Sequence, residues 1–184
     1  MNKRIINDRE LKKLVSSICR QITLSGWKPD YIVGITRGGL VPAVMISHYL
    51  DVRLETLNVS LRDSKGGLGP ESNLWMAEDA FGYVTNTNSS QARSSAEFQK
   101  NILIVDDIND SGATINWIAE DWKSGCLPTN ERWDQVWNNN VKFAVLFDNA
   151  ASKCNFKMDF VGEEINKAEQ DVWIDFPYES WWLR

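Results

Sequence analysis

Two apolar runs, YIVGI (31–35) and ILIV (102–105), each stop at a short loop of small and polar residues, and each loop opens into a helix-patterned stretch. A strand that is apolar at every position, with no alternation, is covered on both faces. A buried strand feeding a helix through a short loop is the first half of a βαβ unit. Two such units constrain a chain of 184 residues to an α/β domain with a mainly parallel sheet flanked by helices, and that length fits one domain. Ligands of such sheets bind where the carboxyl ends of the strands meet their loops. Both loops, 34–39 and 106–114, lie at that position.

The rest of the chain agrees. Leu11, Leu14, Val15, Ile18 and Ile22 recur at helical spacing. Asn7 caps that helix, with Glu10 three residues on as in a capping box. LVPAVMISHYL (40–50) and Ala113 to Trp122 read as helices. Val52 to Ser60, Val141 to Phe147 and Asp159 to Gly162 read as strands, and DVWIDFPYESWW (171–182) closes the chain. Residues 62–98 differ. RDSKGGLGPESN and VTNTNSSQARSSAE, rich in Gly, Ser, Asn and charge, flank LWMAEDAFGYV. So long a stretch without periodicity is expected to be a mobile flap or an insertion.

Composition narrows the functions. The net charge is −5 and the pI about 5.0, which argues against a general nucleic-acid partner but permits a local anion site made of backbone N–H groups. Cys19, Cys126 and Cys154 are isolated, so neither a zinc site nor a disulfide framework is expected. MNKRIINDRE carries no secretory apolar core, and no apolar run reaches the roughly 18 residues of a membrane span. A cytoplasmic protein with no membrane partner is the expectation. The lone histidine, His48, lies in a helical stretch and reads as structural, which disfavours histidine-based catalysis. Of the nine tryptophans, Trp117, Trp122, Trp133 and Trp137 are expected to pack a helix and the loop after it.

The loop 106–114 carries the chemistry. Asp110-Ser111-Gly112-Ala113-Thr114 opens a helix, whose free N–H groups and positive dipole end favour a phosphate. Ser111 and Thr114 add hydroxyls, and Gly112 allows close approach. Asp106 and Asp107 just upstream would repel a phosphate unless something polyhydroxylated or cationic lay between. A ribose phosphate fits: its hydroxyls donate to the carboxylates while its phosphate sits on the loop, with Mg²⁺ as a natural further partner. Taken alone, the loop is equally readable as a capped helix with exposed acids.

ILIVDDINDSGAT (102–114) resembles the phosphoribosyl pyrophosphate (PRPP) motif of the type I phosphoribosyltransferases: a hydrophobic strand, two acids and a phosphate loop. Asn109 departs from the apolar residue usual there. GITRGGLVPA (34–43) is similar to the pyrophosphate loop of the xanthine and hypoxanthine-guanine branch, in which strained or cis peptides are common. DVWIDFPYE (171–179) resembles the base-binding segment of that branch. The resemblance implies a Rossmann-like fold with a long flap at 62–98 and a small hood with the base-binding tail at 150–184. It implies transfer of the 5-phosphoribosyl group from PRPP to a base, most plainly a 6-oxopurine, releasing pyrophosphate and a nucleotide in purine salvage.

By the same resemblance, Asp106 and Asp107 hold the ribose and Mg²⁺, and Asp110, Ser111, Gly112, Ala113 and Thr114 hold the 5-phosphate. Thr36, Arg37, Gly38 and Gly39 hold pyrophosphate. Asp110 exchanges the purine N7 proton, and Ile108, Asn149, Trp173 and Ile174 contact the base. Asp175 binds Mg²⁺ directly or through water. Homodimers or homotetramers are usual in the family, and Trp133, Trp137, Trp181 and Trp182 are expected as exposed interface residues. Two departures stand out. Ser60-Leu61 replaces the Ser-Tyr usual at the flap's start, with Arg62 and Lys65 as candidate pyrophosphate partners. AVLFDNAASK (144–153) has Asp148-Asn149 where the branch places a lysine that donates to the purine O6. That leaves Asn149 or Lys153 for the task, or a different base.

Overall fold

The structure, a computed structural model, describes residues 2–59, 73–85 and 92–183. In chain order the elements are β1 (Asn2–Ile5), α1 (Asp8–Ser25), β2 (Tyr31–Thr36), α2 (Leu40–Leu50), β3 (Leu54–Asn58), α3 (Leu74–Phe81), β4 (Tyr83–Thr85) and β5 (Ala92–Ser94), followed by β6 (Ile102–Asn109), α4 (Ala113–Gly125), β7 (Val141–Asn149), β8 (Phe160–Ile165) and β9 (Val172–Asp175). Five strands form one all-parallel sheet in the order β3-β2-β6-β7-β8. The apolar strands are central because both faces are covered: Tyr31 to Ile35, Ile102 to Val105 and Phe143 to Phe147 are buried. One face carries α1 and α2, with Ile18, Ile22 and Ile46 packed on Ile32, Leu103 and Leu146. The other carries α3 and α4, with Phe81, Ile118 and Trp122 packed on Val33, Ile104 and Phe143. Among the described residues no helix is long and apolar enough to cross a membrane.

Local chemistry sets the helix ends. Asn7 and Glu10 form a capping box at the start of α1, each side chain taking the other's backbone N–H at 3.0 Å. Gly26 ends α1 in the left-handed region. Trp122 and Trp133 are fully buried, and Trp137 packs between them and Phe143 and Phe156. Trp133 and Trp137 are therefore core residues and not exposed interface. Trp181 and Trp182 are exposed, at 68% and 67%.

Three features depart from the sequence expectation. β6 continues through Asn109 instead of ending at Val105, because Asp106, Ile108 and Asn109 keep their register with Val145, Phe147 and Asp148 of β7. Within 62–98, α3 sends Met76, Ala77, Ala80 and Phe81 into the core, and Arg132 fixes its end with a hydrogen bond to the Phe81 carbonyl at 2.6 Å. β4 and β5, which pair antiparallel, follow it. Ser60-Leu61, Arg62 and Lys65 lie outside the described residues. Finally, β8 belongs to the central sheet, so the separate layer is smaller than 150–184: β9 pairs in parallel with β1, which joins the two ends of the chain. The Arg4 guanidinium ties that layer to the sheet, forking onto Glu163 at 2.5 and 2.9 Å and lying 5.2 Å over the Phe147 ring.

Candidate active site

From β2 the chain steps outward to β3, and from β6 it steps the other way to β7 and β8. The carboxyl ends of β2 and β6 therefore flank the switch point of the sheet, where a crevice opens. A cavity of about 1040 Å³ lies there, with the 36–38 loop, Asp106 to Ile115, Lys167 and the segment after β9 among its walls.

The two loops meet in contact that only glycine permits. A Cβ on Gly38 would land on the Asp107 carboxylate, and one on Gly39 would strike the Val105 carbonyl and the Asp106 backbone. The Thr36–Arg37 peptide is cis, as the resemblance implies for such a loop, and Arg37 is exposed at the cavity. Thr36 Oγ1 donates to Asn58 Oδ1 at 3.1 Å, bringing in Asn58, a lining residue that carries no motif in the sequence.

Asp106 and Asp107 each accept the amide N–H of the next residue, at 3.0 and 2.8 Å. Burial pushes the Asp107 carboxyl above its usual range. Asp106 and the Ile108 N–H oppose that shift, and Glu179 adds to it. Glu179 and Tyr178 are lining residues that composition and spacing did not single out. The Tyr178 phenol is pushed well up, first by burial and then by Asp107, Glu179 and Asp106, so its hydroxyl sits in the same acidic field.

Helix α4 starts at Ala113, with Gly112 before it at φ +83° and no side-chain cap. The alternative reading of the loop as a capped helix start is not realised. Ser111 Oγ does accept the Ala113 N–H at 3.3 Å. Gly112 is obligatory twice over: its backbone is left-handed, and a Cβ would collide with the backbone of Cys154. The end of α4 thus presents backbone N–H groups to the cavity beside Ser111 and Thr114.

At the other side, Asp110 pairs with Lys167, Nζ to Oδ1 at 3.0 Å. Asn149 does not line the cavity. Its buried amide is a staple: Nδ2 donates to the Asp110 carbonyl at 2.9 Å, and Oδ1 accepts the N–H groups of Lys167 and Ala151 at 3.0 and 3.2 Å. Lys153 is exposed and joins the site only through its backbone, with N–H to the Ser111 carbonyl at 3.1 Å. Asn109 and Asp148 pair with each other at 2.8 Å, so the two departures from the family pattern are neighbours across β6 and β7. Ile108, Trp173 and Ile174 line the cavity, together with Phe176 and Trp182. Asp175 does not. It is buried against the sheet layer, and its carboxylate takes Lys3 Nζ at 2.9 Å. With that partner and no place among the lining residues, Asp175 is not set toward the cavity where the resemblance implies a Mg²⁺ role.

Such a sheet, with a glycine-arginine loop and an acid-to-helix loop meeting at its switch point, defines an α/β enzyme that grips a phosphorylated ligand. The family model for the phosphoribosyl transferase domain matches residues 2–180, and the chain belongs to that family: it is a phosphoribosyltransferase. The xanthine-guanine phosphoribosyltransferase of Cereibacter sphaeroides is 28% identical over 162 residues, 85% of this chain and 75% of that one. The enzyme of the same name from Nitratidesulfovibrio vulgaris is 28% identical over 150 residues, covering 81% and 68%. Among solved structures, the Helicobacter pylori xanthine-guanine-hypoxanthine phosphoribosyltransferase superposes with a TM-score of 0.62 at 19% identity, covering 99% of this chain and 97% of that one. The purine phosphoribosyltransferase of Pyrococcus horikoshii gives 0.59 at 20% identity, covering 98% and 96%. At these identities the likeness is one of fold.

Proposed function

We propose that this phosphoribosyltransferase moves the 5-phosphoribosyl group of PRPP to a nitrogen of a 6-oxopurine, releasing pyrophosphate, in purine salvage. The observation that carries the reading is the meeting of three unlike surfaces around one cavity: the Arg37-Gly38-Gly39 loop, the Asp106-Asp107 pair and the open start of α4. The names of the xanthine-guanine relatives support the purine.

In this reading the 5-phosphate lies on the N–H groups and hydroxyls of Ser111 to Thr114. Asp106 and Asp107 accept from the ribose 2′ and 3′ hydroxyls. Arg37 and the Gly38 and Gly39 amides receive the leaving pyrophosphate. As its bond to C1 breaks, the ribose gains positive charge, which the carboxylates stabilise at fixed positions. Asp110 takes the N7 proton of the base. Trp173, Ile174, Phe176 and Ile108 form an apolar wall that holds the base and keeps water from C1. Oxygen donors suit Mg²⁺, an ion that settles for one or two carboxylates and fills its shell with water and substrate phosphates. Bound Mg²⁺ would be held by Asp106 and Asp107, partly through water, and would neutralise pyrophosphate charge. The described residues form no closed set of three or more metal-ligating side chains, in keeping with such an open site. The flap expected at 62–98, the homodimer or homotetramer and a cytoplasmic location go with the same reading.

The test is pyrophosphate release from PRPP and Mg²⁺ with guanine, hypoxanthine, xanthine, adenine, uracil and orotate in turn. Turnover with 6-oxopurines, abolished in the Asp106→Asn/Asp107→Asn double variant, is the expected result. Turnover confined to adenine or a pyrimidine would refute the purine assignment, and no turnover with any base would refute the transfer itself.

A further inference from the structure

Lys167 belongs to no motif, yet it is one of only two cationic side chains among the described residues that line the cavity, Arg37 being the other. They stand at opposite ends of it. Arg37 follows β2 and Lys167 follows β8, three strand spacings apart, roughly 14 Å at about 4.8 Å per spacing. Arg37 and the α4 end account for the phosphates of PRPP. Lys167 has no part in that grip, and its side chain is only 17% exposed. A lysine desolvated to this degree needs partners for its three donors. Among the described residues its side chain has one, Asp110.

Its position is built. Asn149 spends one side of its amide on the Asp110 carbonyl and the other on the Lys167 N–H. One buried side chain thereby fixes the backbones of both members of the ion pair. Asn109, Asp148 and Ser152 brace the layer beneath: Asn109 donates to Asp148 at 2.8 Å and accepts from Ser152 Oγ at 3.1 Å. Asp148-Asn149 is therefore the footing of a lysine supplied by a different part of the chain.

We infer that Lys167 is the base-selecting residue of this enzyme, donating from Nζ to a carbonyl oxygen on the base, with Asn149 as the residue that positions it; the inference rests on the phosphoribosyl-transfer reading above. The chemistry follows from the pair. An ammonium beside a carboxylate presents a donor and an acceptor side by side. A purine with an oxygen at C6 and a hydrogen on N7 presents the complementary acceptor and donor on one edge. A 6-amino group would instead turn N–H donors toward the ammonium, leaving both unsatisfied in a site shielded from water.

The test compares guanine with 2-aminopurine, which lacks the C6 oxygen and with it the N1 hydrogen, and adds adenine. kcat and KM for each base are measured on the full chain with PRPP and Mg²⁺, in the wild type and in Lys167→Met, Lys167→Arg and Asn149→Ala. PRPP affinity is titrated separately. The wild type is expected to prefer guanine over 2-aminopurine by roughly 10- to 100-fold in kcat/KM, the scale of a hydrogen bond to a charged group. Lys167→Met leaves Asp110 without its 3.0 Å partner for either base, so the expected result is a loss with guanine that exceeds the loss with 2-aminopurine by a similar factor, because removing either partner removes the same contact. Lys167→Arg should recover part of the loss. Asn149→Ala should raise KM for guanine more than for 2-aminopurine, which a general loosening of the fold would not do. PRPP affinity should hold throughout. Equal losses for both bases in Lys167→Met would overturn the inference and leave phosphoribosyl transfer intact. If that variant does not fold, a wild-type guanine preference below about tenfold, or a preference for adenine, overturns it equally. A wild type that turns over no base removes the transfer reading, and the role of Lys167 with it.

Discussion

At the scale of single residues, the site holds charge at a cost to the fold. Asp107 is half-buried beside Asp106, with Glu179 and the Tyr178 hydroxyl in the same field, and desolvation pushes its carboxyl above the usual range. A carboxyl raised in the folded state keeps its proton at a pH where the unfolded chain has lost it. The folded state is then the more protonated one, and stability falls as pH climbs from the ordinary value of 3.8 through the raised one. Asp107→Asn removes that penalty and keeps an oxygen to accept the Ile108 N–H. The ligand-free variant should melt higher than the wild type at pH 7, by about 2–4 °C for each kcal/mol relieved in a chain of this size. The gap should close as the pH falls below 3.8. The same variant should lose PRPP binding. Melting curves against pH and a PRPP titration check both halves, and a variant that melts lower at pH 7 while matching the wild type in acid would reverse the sign of the argument.

At the scale of elements, the base side of the cavity depends on a strand from the opposite end of the chain. β9 carries Trp173 and Ile174, and its neighbour is β1, tied down by Lys3 to Asp175 and by Arg4 to Glu163 and the Phe147 ring. Arg4→Ala removes a fork of hydrogen bonds and the packing of its stem. It should raise KM for the base several-fold while PRPP affinity stays at the wild-type value, because the phosphate loops sit on β2 and α4. Parallel changes in both constants would show that the layer is not separable. β1 is hard to read from sequence: NKRI is only four residues with three charged or polar side chains, and pairing, not composition, makes it a strand. The α1, α2, α4, β2 and β7 segments were legible because a 3.6-residue stripe or an unbroken apolar run states itself locally. So were the Asp106-Asp107 and Arg37-Gly38-Gly39 loops, where the spacing itself is the chemistry. Lys167, Glu179, Tyr178 and Asn58 were not. Lys167 reaches the site through sheet order alone, while Asn58, Tyr178 and Glu179 lie in segments that were read but were given no role there. Asn149, expected as a base contact, instead turns its amide to the backbone of its neighbours and not to the cavity.

At the scale of the whole molecule, PRPP would touch parts of the fold far apart in sequence. In the proposed reading its pyrophosphate end would lie on the loop after β2 and its phosphate end on the start of α4, with the carboxylates of β6 between. Those elements span the middle of a single sheet, so a ligand that bridges them stabilises the domain as a unit and not one loop. A ligand at 100 times its Kd adds about 2.7 kcal/mol to the folded state when the unfolded chain does not bind it. At about 2–4 °C per kcal/mol, saturating PRPP with Mg²⁺ should raise the melting temperature by about 5–10 °C. The shift should grow with the logarithm of PRPP concentration. It should disappear in Asp106→Asn/Asp107→Asn, whose ribose contacts are gone, and survive in Arg4→Ala and Lys167→Met, whose changes lie on the base side. A shift retained in the double aspartate variant would mean that the phosphate loops alone hold the ligand, and that the carboxylates act on the reaction without contributing to the grip.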